Sequence, residues 1–142
     1  MIAGIRSYID TKIKEVDPDL EPWQEDAFGN NDTDGRKTEF YNLIFGTLTN
    51  ERFPNYINDT LPVFIDIWAD NSSRSDTLVD FDNLYQKAFD IYKNIICLKG
   101  IKQLGDGTTT IQLIAIEPIE EETSDSTFKM RIELNVVKSF CY

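Results

Sequence analysis

Apolar positions in this 142-residue chain change their spacing several times, and each change marks an expected element. Ile2, Ile5, Ile9, Ile13 and Val16 recur at three- and four-residue intervals, the repeat of one helix face. At about 100° per residue they span an arc of about 80°, which predicts a helix lying on a surface with most of its girth in water. Pro18 disfavours helical geometry at Asp17, so this helix is expected to end near Val16. The second helical stretch, residues 80–98, has Thr77 or Asp80 as candidate caps. Phe81, Leu84, Ala88, Ile91, Ile95 and Leu98 form its first apolar line, and Tyr85, Phe89, Tyr92 and Ile96 run beside them. The two lines together cover about 180°, more than one sheet contact needs. The second line is therefore covered either by a neighbouring element or by another subunit. Cys97 falls on the polar line with Lys87, Asp90 and Asn94, where an accessible thiol is expected.

Elsewhere the period is two. EFYNLIFGTL (39–48) reads as a strand bent at Gly46, and PVFIDIW (62–68) as a second, with Val63, Ile65 and Ile67 on one face and Phe64, Asp66 and Trp68 on the other. The intervening residues 49–61 hold Pro54, Asn55, Asn58 and Asp59, which predicts a hairpin with a projecting flap. TTTIQLIAIEP (108–118) reads as a third strand, and FKMRIELNV (128–136) as a fourth with one buried and one wet face. An acidic connection, 119–127, joins them as an antiparallel hairpin. Residues 17–37 combine Pro18, Pro22, Gly29 and Gly35 with Asn and Asp, the composition of a long loop anchored by Trp23 and Phe28. The order is helix, strand, strand, helix, strand, strand. One mainly antiparallel sheet with both helices on one face is the economical packing, giving a single α+β domain over 1–142.

Charge sharpens this outline. The chain has 14 Lys+Arg, 25 Asp+Glu and a net charge of -11. Eight acids lie in residues 15–34 and five in 115–127, with no Lys or Arg in either segment, so the rest of the chain is close to neutral. Binding of nucleic acid by a basic groove is disfavoured, because counterion release needs clustered Lys and Arg. The absence of His removes the commonest general base, the Ser/His and Cys/His nucleophile pairs and the usual zinc sites, so no enzyme and no cofactor are expected. Cys97 and Cys141 have no metal spacing. No apolar run reaches the roughly 18 residues of a membrane helix, and Met1–Tyr8 lacks the pattern of a secretion signal, so a cytosolic product is expected.

Candidate chemistry is thin. NNDTDG (30–35) places Asn30, Asp32 and Asp34 at alternate positions before Gly35, as at the start of a calcium loop. The twelfth position would be Tyr41, which cannot supply a bidentate carboxylate, so a turn is expected instead. Carboxylates for acid/base work could come from Asp66, Asp70 or Glu120–Glu122, but no pattern makes them converge. Phosphate-cradling glycine loops and nucleophile elbows are absent from the sequence.

The arrangement of residues 61–96, LPVFIDIWADNSSRSDTLVDFDNLYQKAFDIYKNII, followed by IQLIAIEPIEEETSDSTFKMRIELNVV (111–137), resembles the tail terminator proteins of long-tailed bacteriophages, also called tail completion or minor tail proteins. The likeness lies in element order and in an acid-rich connection returning as a long alternating strand. It covers 61–138 best and 2–16 loosely; the acidic loop 17–37 and the 49–61 flap depart from it. It implies a virion structural protein, assembled in the host cytoplasm, that closes into a ring of about six copies. Such a ring caps the tail tube at its head-proximal end, stops its growth and meets the head-completion or connector protein, while DNA slides through without specific binding. Tyr85, Phe89, Tyr92 and Ile96, with exposed strand edges, would then form the subunit interface. Acids lining a lumen would repel phosphate, and segment 117–125, with Glu120, Glu121, Glu122 and Asp125, is assigned to the channel or docking face. Another neck, connector or baseplate ring would share this design. An acidic inhibitor mimicking DNA would instead spread its carboxylates along one face, and a small carboxylate hydrolase would gather two in a pocket.

Overall fold

The computed structural model describes residues 2–22, 39–70, 81–96, 101–103, 109–119 and 127–141. Helix α1 spans Ile2–Val16, followed by β1 (Glu21–Pro22), β2 (Glu39–Phe45), β3 (Thr49–Arg52), β4 (Tyr56–Asp70), helix α2 (Phe81–Ile96), β5 (Ile101–Gln103), β6 (Thr109–Pro118) and β7 (Thr127–Cys141). The seven strands form one sheet in the order β1-β2-β4-β7-β6-β5, with β3 beside β4 on the same side as β2. All pairings are antiparallel except β1 with β2. The fold is α+β, as the alternating and helical periods predict.

Why α1 stops where it does is visible in the bonds after it. The Asp17 amide donates to the Ile13 carbonyl at 3.0 Å, the last such bond before Pro18. Asp17 then turns the chain: its carboxylate accepts from the Asp19 amide and its carbonyl from the Leu20 amide. Leu20 is fully buried and leads directly into β1, an anchor and a strand inside what reads as a continuous loop. Trp23 and Phe28, the expected anchors, lie outside the described residues.

Alternation sorts the sheet into two faces. Leu61, Val63, Ile65 and Ile67 of β4 and Met130, Ile132, Leu134 and Val136 of β7 pair across the central ladder, and all eight are buried in one core. Ile5, Ile9 and Ile13 of α1 and Leu84, Ala88, Ile91, Ile95 and Ile96 of α2 complete that core, so both helices lie on the same sheet face. Each such aliphatic side chain contributes about 1.5–3 kcal/mol by leaving water. Polar latches fix the helices to one another: the Tyr8 hydroxyl donates to the Ile95 carbonyl at 2.9 Å, Asn94 Nδ2 to the Lys12 carbonyl at 2.9 Å, and Lys87 Nζ lies 2.8 Å from Asp17.

Several boundaries move relative to the sequence expectations. The strand expected over 39–48 ends at Phe45, and Leu48 lies in the link to β3. The 49–61 flap is a regular hairpin instead: Thr49–Arg52 pair with Ile57–Thr60, the Phe53 amide donates to the Tyr56 carbonyl, and the Phe53 and Tyr56 rings stack with centroids 4.5 Å apart. Its residues carry no alternation because all of Thr49–Arg52 are exposed, leaving no buried face to write a period. The strands expected over 62–68 and 128–136 are longer, 56–70 and 127–141, and pair along their whole length. A 15-residue strand is about 50 Å long, whereas the 16-residue helix above it covers about 24 Å, so the strand ends run past the helical layer. Residues 97 and 98 at the end of the expected second helix, Cys97 included, lie outside the described residues, as do the candidate caps Thr77 and Asp80.

Candidate functional site

On the face opposite the helices, register places Asn42, Asp66, Arg131 and Glu117 in one row across four strands. Asp66 and Arg131 meet side-on: Nε donates to Oδ1 at 2.7 Å and an Nη to Oδ2 at 2.8 Å. Lys129 Nζ stands 3.6 Å from the same carboxylate. Asp66 is only 1% exposed, whereas the Arg131 side chain keeps 30% of its surface in contact with water. The Arg131 guanidinium also covers the Phe64 ring at 4.9 Å, and Lys129 approaches the Trp68 ring at 5.7 Å. Trp68 in turn packs on Phe40, whose side chain is buried although it lies on this face. The hydrogen bonds it donates to Asp66 hold the Arg131 pKa above its ordinary value; desolvation works against this, and the charges of Asp66, Glu117 and Glu133 reinforce it.

Chemically this row is a staple. A carboxylate gripped by a two-pronged guanidinium, with an ammonium beside it, has both oxygens engaged by cations of its own sheet. Of the carboxylates considered for acid/base work, Asp66 is thus committed to Arg131. The Asp70 side chain and Glu120–Glu122 lie outside what is described. Asp66 stands out in the sequence as an acid inside the apolar run VFIDIW, and Arg131 as a base in an alternating strand, but only register makes them neighbours.

The calcium-like run 30–35 also lies outside the described residues. Tyr41, its twelfth position, is buried in the core and donates from its hydroxyl to Asp10 at 2.8 Å. Among the described residues, no three or more Asp, Glu or Cys side chains converge as metal ligands. The acids assigned to a channel or docking loop, Glu120, Glu121, Glu122 and Asp125, fall outside the described residues too. Cys141 is an exposed free thiol at the end of β7.

The second apolar line of α2 divides. Tyr85 and Phe89 are 42% and 39% exposed, and Tyr92 is half-buried against the core. Ile96 is fully buried and does not share the outward surface expected for it, since it closes the core beside Ile95. Phe89 contacts the Tyr92 ring and lies under Lys93 Nζ, 4.8 Å from its centroid; Lys93 also pairs with Asp90 at 3.6 Å. Strand β6 holds a further exposed apolar residue that pattern reading passes over. A register shift between Leu113 and Ala115 leaves Ile114 without a partner on β7 and exposed. The sequence signal is the break in alternation at Leu113-Ile114-Ala115-Ile116.

A scan against protein-family models finds no match for the chain, and a search of curated proteins finds no relative.

Proposed function

We propose that this chain is a structural subunit of a closed ring of roughly six copies at the head-proximal end of a bacteriophage tail, where it caps the tube, ends its polymerisation and joins tail to head. The observation that carries the reading is the aromatic flank of α2. Tyr85 and Phe89 keep about two-fifths of their surface in water although they continue a core-forming helix. Large aromatic side chains held on a rigid helix are the usual anchors of protein contacts. The order of elements, which resembles that of tail terminators, gives the contact its context. The partners are further copies of the chain, the tube protein and the head-completion or connector protein. DNA crosses the lumen without specific binding, the acidic segment 117–125 faces the channel or the docking surface, and the finished protein resides in the virion after assembly in the host cytoplasm.

The test is assembly. Sedimentation velocity and negative-stain images of the purified chain over a concentration series are expected to show rings of about six, and these should shorten tubes when added to polymerising tube protein. A monomer at every concentration, or rings without effect on tube length, would remove the terminator role; rings that bind a connector and ignore tubes would identify a neck component instead.

A further inference from the structure

We draw no further inference here: the strongest candidate, the end of the β4–β7 strand pair that runs past the helices, where Tyr56, Phe140 and the Cys141 thiol are exposed, carries nothing, because register sets Tyr56 and Phe140 on opposite faces of the sheet and nothing in the structure shows what covers either.

Discussion

Replacing Arg131 with Met removes the guanidinium from a carboxylate that is 1% exposed and otherwise faces only the Lys129 ammonium, at 3.6 Å. Breaking a fully buried ion pair from one side costs about 3–5 kcal/mol, because the remaining charge keeps its desolvation penalty. Here Arg131 is 30% exposed and Lys129 retains part of the attraction, so the expected loss is about 2 kcal/mol. The reverse change, Asp66→Leu, leaves the guanidinium able to turn to water and should cost about 1 kcal/mol. The double variant Asp66→Leu/Arg131→Met removes both desolvation penalties and should fall within about 1 kcal/mol of the unaltered protein. Urea unfolding followed by tryptophan fluorescence reads all three, provided the slope of stability against urea stays constant, so that midpoint shifts report stability alone. The reasoning fails if Arg131→Met is no more damaging than Asp66→Leu, or if the double variant loses the sum of the two single losses. Either result would mean that the carboxylate is not sheltered from water.

Gly46 donates its amide to the Pro62 carbonyl at 2.8 Å, and a Cβ placed on it would stand 3.1 Å from the Pro62 Cβ and 3.3 Å from its Cγ. Gly46→Ala should therefore cost about 1 kcal/mol through crowding against a rigid ring, read as a lower urea midpoint; an unchanged or raised midpoint would refute this. Glu15 accepts a hydrogen bond from Asn94 at 3.0 Å, and this, with the charge of Lys12 at 3.5 Å, lowers the pKa of its carboxyl against the opposing desolvation. The link between helices is thus present above the ordinary carboxylate pKa and is lost as pH falls through the lowered one. Asn94→Ala should raise the Glu15 titration midpoint in carboxyl-carbon NMR, and an unmoved midpoint would contradict the assignment.

Periodicity alone was enough to locate both helices and the four principal strands, because each has one face against the core and one facing away from it. Ile5, Ile9 and Ile13, or Met130 through Val136, carry that difference in their spacing whatever they pack against. Where no face is covered there is no period to read, which is why β3 and the outer ends of β4 and β7 pass unnoticed in the sequence. A bulge of one residue shifts Ile114 outward without altering composition. The pairing of Asp66 with Arg131 depends on strand register across 65 positions, and the exposure of Phe89 beside buried Ile96 depends on which neighbours each flank of α2 acquires. Local spacing records only that a side chain leaves water; which side chain it then meets is decided when distant segments are brought together, and that requires the tertiary structure.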